Sequence, residues 1–215
     1  MKIPSSLSRG NIGVNPLRKF MQIHQTILVA LASILISAPV FSEDRLERVR
    51  KAADQGDANA QNGLGDAYSY GHGFLLLGKN LPEDKAEGLK WWRKAADQGD
   101  SSAQEGLGSA YYYGNGVPED KAESVKWWRK IADRGILTKQ NTAQFFLGLA
   151  YERGKGVPED YVQAYMWYNL ASAKGYEYAK KLKLKLSKKM TKEQIAEAQK
   201  LSTQWVEQKA KEKKK

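Results

Sequence analysis

Apolar residues recur at helical spacing along the chain, in short blocks that return three times. Ala60, Leu64 and Tyr68 stand four positions apart, which predicts one face of a helix. Two further copies of this stripe are Ala103, Leu107, Tyr111 and Ala143, Leu147, Tyr151. A glycine follows each stripe, where a left-handed residue can end a helix: Gly71, Gly114 and Gly154.

A second helix is predicted after each of these glycines. It opens on an acidic residue with Glu or Gln three positions later, a capping-box pattern that occurs at Asp84/Glu87, Asp120/Glu123 and Asp160/Gln163. The apolar stripe that follows includes Trp92 in the first copy and Trp128 in the second. A glycine closes each copy: Gly99, Gly135 and Gly175.

Together the two helices form a unit with an underlying period of 36 residues. The first unit has seven extra residues at 74–80, and four more lie between Gly135 and Ala143. A two-helix unit buries its apolar stripe only by stacking on its neighbours. The sequence therefore predicts an all-α fold, an α/α solenoid of antiparallel helix pairs. Its predicted parts are a half-repeat helix at 43–56, repeats at 57–99, 100–135 and 136–175, and C-terminal capping helices at 176–215.

The motif A-x-x-x-L-G-x-x-Y-x-x-G-x-G-V-P-x-D, present in the second and third units, resembles the SEL-one-like repeat, a relative of the tetratricopeptide repeat. The resemblance implies a right-handed superhelix that binds a protein or peptide along its concave face. Some relatives carry a disulfide in each repeat. That feature does not carry over, because this chain has no cysteine.

The first 42 residues have the pattern of a secretory signal peptide. Four basic residues and no acidic residue occur there, and the uncharged stretch ILVALASILI spans 27–36. The segment VFS at 40–42 fits a cleavage site, so residues 1–42 are expected to be removed and the protein to be periplasmic or secreted. An uncleaved anchor is the alternative, although the apolar run is short of the roughly 20 residues that a membrane span needs.

The net charge of +11 is unevenly distributed. Residues 43–173 carry 17 basic and 19 acidic side chains, whereas residues 174–215 carry 14 lysines and 5 acidic side chains. The lysine-rich end is explained either by the polar outer surface that a terminal unit needs or by attraction to an anionic surface. No nucleic-acid partner is expected, because the chain has no recognisable motif for one.

Candidate chemistry is sparse. His72 is the one histidine beyond residue 42, and its counterparts in the other units are Asn115 and Lys155, as expected of a variable loop residue. We therefore predict no catalytic residue, no metal site and no cofactor. The tryptophan pairs at 91–92 and 127–128 are adjacent, so their side chains point about 100° apart on a helix. We predict that Trp92 and Trp128 belong to the core.

A binding surface remains as the expected site. The first helix of each unit has a stripe opposite the repeated one, and its residues differ between units. These predicted contact residues are Asn62, Asp66, Tyr70, Glu105, Ser109, Tyr112, Tyr113, Phe145, Leu149, Glu152 and Arg153. Phe145 and Leu149 have a second interpretation, cover by the C-terminal helices. The insertion adds Phe74, Leu75, Leu76 and Leu77, which either thicken the N-terminal core or contact a partner.

The leading functional hypothesis is an exported, non-enzymatic scaffold that binds a protein or peptide on its concave face. One alternative is a cell-envelope hydrolase or cell-wall-interacting enzyme on the same scaffold. The sequence shows no set of acid, base and nucleophile within the repeats to support it. Tethering to a membrane surface through the basic C-terminal segment is another alternative and is compatible with the first.

Export predicts a specific mature N-terminus. Protein recovered from expressing cells should begin at Glu43, because cleavage after Ser42 leaves small or short residues at the recognised positions. N-terminal sequencing or intact-mass measurement checks this. A recovered chain that keeps the segment at 27–36 would support the anchor instead.

Overall fold

The computed structural model describes residues 45–73, 77, 79–134 and 137–212, and the predicted leader at 1–42 lies outside them. Within these residues the chain is helical and contains no strand. The helices are α1 (45–54), α2 (Ala58–Tyr70), α3 (Lys85–Asp97), α4 (Ser101–Tyr113), α5 (Lys121–Arg134), α6 (Leu137–Arg153), α7 (Tyr161–Ala173), α8 (Glu177–Ser187) and α9 (Lys192–Glu212). The predicted all-helical repeat solenoid is confirmed.

The helices stack as alternating first and second members of each unit. From α2 to α8 each helix packs against the next one along the chain, and α4 also contacts α2 and α6. The first helices of successive units, α2, α4 and α6, therefore lie side by side. We call the surface that they share the inner face.

A glycine on each first helix lets an aromatic ring of the second helix approach the backbone. A methyl group added at Gly65 would lie 2.2 Å from Trp92 Cδ1, at Gly108 2.8 Å from Trp128 Cε2, and at Gly148 2.5 Å from Tyr168 Cε1. These distances are too short for carbon atoms in contact, which accounts for a residue that costs about 1 kcal/mol in mid-helix relative to alanine. The prediction that Trp92 and Trp128 are core residues is confirmed, because both are buried.

The predicted helix starts are present, with one change in their hydrogen bonding. Each capping aspartate accepts a hydrogen bond from the backbone N–H three residues later, as Asp84 does from Glu87 at 3.0 Å. The prediction was wrong about the return bond. The N–H of the aspartate donates to the carbonyl of the tyrosine that ends the stripe on the preceding helix, in the pairs Asp84–Tyr68, Asp120–Tyr111 and Asp160–Tyr151. The Glu87 carboxylate pairs instead with Lys90.

Two kinds of hydrogen bond, from an arginine and from a glutamine, recur between each first helix and the helix before it. An arginine on the helix before each first helix donates to the hydroxyl of the stripe tyrosine, in the pairs Arg50–Tyr68, Arg93–Tyr111 and Arg129–Tyr151. A buried glutamine donates to a carbonyl of the same preceding helix, in the pairs Gln61–Ala53, Gln104–Ala96 and Gln140–Ala132. The stacking register is thus specified by polar bonds as well as by apolar contact.

The two insertions lie in different structural settings. Leu77 is fully buried in the N-terminal core with Leu46 and Leu64, whereas Phe74, Leu75 and Leu76 lie outside the described residues. The four extra residues before Ala143 lengthen α6 by about one turn. Gln140 therefore takes the bonding role of Gln61 and Gln104. Gln144, their counterpart in sequence, is buried with no hydrogen-bond partner among the described residues.

The C-terminal helices cover both sides of the last unit. Helices α8 and α9 both pack against α7. Trp205 of α9 meets Trp167 edge to face, with ring centroids 5.9 Å apart. Thr191 and Gln194 exchange both bonds of a full capping box at the start of α9. The alternating leucines and lysines after residue 181 lie in the helix α8, in agreement with the predicted C-terminal capping helices.

The contact between glycine and ring predicts a sign change in a mutant cycle. Gly108→Ala alone should destabilise the protein by about 1–3 kcal/mol, because the Trp128 ring is held by stacking on Phe146 and has no room to move. Trp128→Ala should cost about 3–5 kcal/mol. In the Trp128→Ala background, Gly108→Ala should instead stabilise by up to about 1 kcal/mol. Urea unfolding measures all four corners, and an equal effect in both backgrounds would contradict the contact.

Candidate functional site

The predicted contact residues all lie on α2, α4 and α6, and most of them reach the inner face. Phe145 and Leu149 are 9% and 8% exposed, respectively, and pack in one core cluster with Ala179 and Leu186 of α8. Their side chains therefore belong to the core of the third unit, as the second interpretation of these two residues proposed. The other nine are at least partly exposed.

A polar cavity of about 350 Å³ lies on the inner face between α2 and α4. We call it the acidic pocket, because Asp66 of α2 and Glu105 of α4 both line it. An adjoining cavity of about 260 Å³ shares Tyr70, Trp92 and Ser109 with it. The acidic pocket is lined by Asn62, Asp66, Tyr70, Trp92, Ser102, Glu105, Gly106, Ser109 and Lys139.

Asp66 is held by a neighbouring indole. The Nε1–H of Trp92 donates to Asp66 Oδ1 at 3.0 Å, and Lys139 pairs with Glu105 on the other side of the pocket at 2.5 Å. Burial raises the pKa of Asp66 above its ordinary value, and the bond from Trp92 opposes that rise. The folded protein thus carries this carboxylate in a place that disfavours its charge.

Tyr70 forms the exposed wall of the acidic pocket. It is 57% exposed, stacks on His72 with ring centroids 5.4 Å apart, and meets Trp92 edge to face at 5.8 Å. Burial raises the pKa of Tyr70, and the charges of Asp66 and Glu105 raise it further. Both carboxylates are therefore close enough for their charges to act on this ring.

A second cavity, of about 460 Å³, lies where α4, α6 and α8 meet. We call it the aromatic pocket. Tyr113 and Tyr178 border it and are 59% and 64% exposed. Phe145 forms its floor and contacts the Tyr178 ring edge to face, with centroids 6.0 Å apart. Its lining residues are Tyr112, Tyr113, Phe145, Phe146, Leu149, Arg153, Tyr178 and Leu182.

Two predicted contact residues are engaged within the protein. Glu152 Oε2 accepts a hydrogen bond from the Tyr168 hydroxyl at 2.6 Å. Burial, together with that carboxylate, raises the pKa of Tyr168. Tyr112 lies under the ammonium group of Lys121, which is 4.0 Å from the ring centroid. Both side chains therefore help to shape the inner face from within.

The described residues offer little for catalysis or for binding a metal. His72 stacks on Tyr70, and no described serine or carboxylate hydrogen bonds to it. No group of three or more His, Cys, Asp or Glu side chains in the described part of the chain is arranged to hold a metal ion. No helix of that part is both long enough and apolar enough to cross a membrane.

Some lysines near the C-terminus contact aromatic rings and others are exposed to solvent. Lys183 and Lys189 lie against the rings of Tyr165 and Tyr161, at 5.9 and 5.8 Å from the centroids. Others are exposed on α8 or at its C-terminal end, on both sides of the exposed Leu184: Lys180, Lys181, Lys185 and Lys188.

Comparison with known proteins identifies the repeats. The Sel1 repeat family model matches residues 58–100, 101–136 and 141–176. The chain belongs to the Sel1 repeat family. Sel1 repeat proteins are generally protein-interaction scaffolds. No curated protein shows significant similarity to the chain.

Two crystal structures show the same repeat fold. One is a protective antigen present in uropathogenic Escherichia coli strains that displays an SLR fold. It is 36% identical with a TM-score of 0.63, and the match covers 78% of this chain and 33% of the antigen. The chain thus spans about a third of the antigen's length. The other is a Sel1 repeat protein from Oxalobacter formigenes, 38% identical with a TM-score of 0.55, and the match covers 65% of this chain and 97% of that one.

Several residues that line these Sel1 repeat pockets are not among the predicted contact residues, and three of them contribute most to the pockets. Trp92 was assigned to the core, yet its indole N–H reaches the acidic pocket. Lys139 belongs to the four-residue extension of α6, which has no counterpart in the other repeats. Tyr178 lies beyond the repeats, in the lysine-rich C-terminal segment, where lysine rather than tyrosine dominates the composition. An aromatic residue at an exposed helix position was the available signal for Tyr178.

The raised pKa of Asp66 predicts that this carboxylate costs stability at neutral pH. The neutral form of Asp66 is favoured in the folded state. Its contribution to the stability of the folded protein is therefore fully present below the ordinary pKa of 3.8 and is lost as the pH rises through the folded pKa. Asp66→Asn keeps an oxygen for the Trp92 N–H. It should therefore raise the melting temperature at pH 7, with a gain that shrinks as the pH falls toward 3.8.

Glu197→Gln is the matched control, because Glu197 is exposed on α9 and its replacement also removes one negative charge. Thermal unfolding monitored by circular dichroism across this pH range measures both variants. A loss of stability in Asp66→Asn at pH 7 would show that the bond from Trp92 outweighs the cost of burial.

Proposed function

We propose that this Sel1 repeat protein is an exported, non-enzymatic scaffold whose inner face binds a segment of another protein in the acidic and aromatic pockets. One observation carries the proposal. Five large hydrophobic residues are exposed among the described residues, and three of them, Tyr70, Tyr113 and Tyr178, border these two pockets. Tyrosine is enriched at protein interfaces, where it supplies a large contact area and a polar tip.

The arrangement of α4 supports a single extended ligand. Ser109 and Glu105 face the acidic pocket, while Tyr112 and Tyr113 line the aromatic pocket one turn further along the same helix. A turn of helix rises about 5.4 Å, which is within the reach of a few residues of extended peptide. A segment that crosses α4 would therefore place side chains in both pockets.

The variation between units supports binding at the same place. The interior contacts of glycine, ring and cap are repeated in all three units, whereas the inner-face positions are not. Asp66, for instance, has Ser109 and Leu149 as its counterparts. Side-chain packing explains why the interior positions are the same in all three units. The residues of the inner face are free of that constraint, and a bound partner explains why they differ.

An anionic surface is a second candidate partner, because α8 exposes Leu184 among lysines that line neither pocket. Lysines near a charged membrane surface contribute about 1 kcal/mol each, and an exposed leucine adds apolar contact. Binding of this kind leaves the inner face open, so both partners are compatible.

A selection from a random dodecapeptide library on the purified protein tests the inner face. Selected peptides should bind at least tenfold more weakly to Tyr113→Ala, equivalent to about 1.4 kcal/mol, because a hot-spot aromatic residue is lost. Fluorescence anisotropy with labelled peptides measures the affinity.

Leu184→Ala is the matched control, since Leu184 is 58% exposed but lies outside both pockets. It should leave peptide affinity unchanged. Peptides that lose affinity with Leu184→Ala and not with Tyr70→Ala or Tyr113→Ala would overturn the assignment of the inner face.

A further inference from the structure

The acidic pocket carries more acidic than basic side chains. The carboxylates of Asp66 and Glu105 line it, and the Asn62 Oδ1 atom is buried with no hydrogen-bond partner in the described part of the chain. Among the described lining residues the one cationic side chain is Lys139, which is already paired with Glu105. One of the two carboxylate charges, that of Asp66, therefore has no cationic partner among the described residues of the pocket, and a cationic ligand group complements it.

Asp66 is not explained by the folding of the repeat. The residue at its position is Ser109 in the second unit, where the equivalent indole, Trp128 Nε1, is buried and has no partner among the residues described. That indole packs without a carboxylate, so the Trp92 bond does not require one either. Burial raises the pKa of Asp66, which means that the carboxylate is kept at the expense of stability. A charged ligand accounts for its presence.

Tyr70 adds an aromatic surface beside the carboxylates. Its ring is more than half exposed, and both Asp66 and Glu105 act on its hydroxyl. An aromatic face next to acidic groups is the usual environment of a bound cation. The same protein already holds a guanidinium in this way, because Arg93 lies 5.1 Å from the Trp127 ring centroid.

We propose, on the basis of the proposed function, that the acidic pocket binds an arginine side chain of the partner segment. Carboxylates line the pocket on two sides, Asp66 on α2 and Glu105 on α4. A planar guanidinium has five donors and meets such a set while its face stacks on Tyr70. A lysine ammonium is a compact point charge with three donors, and it uses the flat aromatic wall less fully.

A titration monitored by NMR tests this directly. The indole N–H signal of Trp92, assigned with Trp92→Phe, reports on the pocket through its bond to Asp66. N-acetyl-arginine amide should shift that signal saturably in the millimolar range, as expected for a small ligand. N-acetyl-citrulline amide has nearly the same shape without the charge and should not saturate. N-acetyl-lysine amide should bind more weakly than the arginine amide.

Asp66→Asn should weaken binding of the arginine amide at least tenfold, while Glu197→Gln should leave it unchanged. Melting temperatures of both variants show whether the fold is kept. Saturation by citrulline amide equal to that by arginine amide, or tighter binding of lysine amide, would overturn the arginine assignment.

The same measurements separate this inference from the proposed function. If selected peptides depend on Tyr70 or Tyr113 while arginine amide causes no saturable shift, the inner face binds peptides and the arginine assignment is wrong. If arginine amide binds through Asp66 while no selected peptide depends on either tyrosine, the pocket binds a guanidinium group and the proposed function is wrong.

Discussion

The close approach of an aromatic ring to a glycine in the facing helix is the contact on which each unit depends. Gly65, Gly108 and Gly148 have no room for a side chain, because Trp92, Trp128 and Tyr168 occupy that space. The contact fixes where the second helix of a unit lies along the first, because each ring meets one glycine of the facing helix. At the turn between them, the capping aspartate donates its N–H to the carbonyl of the preceding tyrosine. Helix capping and helix packing are thus parts of one arrangement.

The same arrangement explains why the inner face is free to vary. The units are joined by arginine–tyrosine and glutamine–carbonyl bonds that lie away from it, together with apolar contacts between neighbouring helices. Residues such as Asp66, Tyr70 and Tyr113 contribute little to this framework. Asp66, whose charge is disfavoured by burial, stands at a position where the other units have serine and leucine, and the proposed arginine ligand gives a physical reason for it.

The third unit shows how a solenoid is closed. Helix α7 is buried on nearly all sides, whereas α3 and α5 keep exposed polar faces. From Ala164 to Leu170 every residue of this helix except Asn169 is buried, so the helix needs cover on two sides. Helix α8 supplies one side through Leu186 and α9 supplies the other through Trp205. Several lysines of α8 and its C-terminal end are exposed on the outside of this cover.

The sequence by itself determined the elements and the period. Capping aspartates, terminal glycines and four-residue spacing act within one or two helical turns, so their effect is local and can be recognised without knowledge of the fold. Tertiary structure decided the features that depend on residues far apart in the chain. These are the return bond of each cap to a tyrosine carbonyl, the cover of Phe145 and Leu149 by α8, and the arrival of Lys139 and Tyr178 at pockets built by earlier repeats. Such contacts form between side chains of different units, so they depend on the relative position of the stacked units and not on the sequence of one repeat.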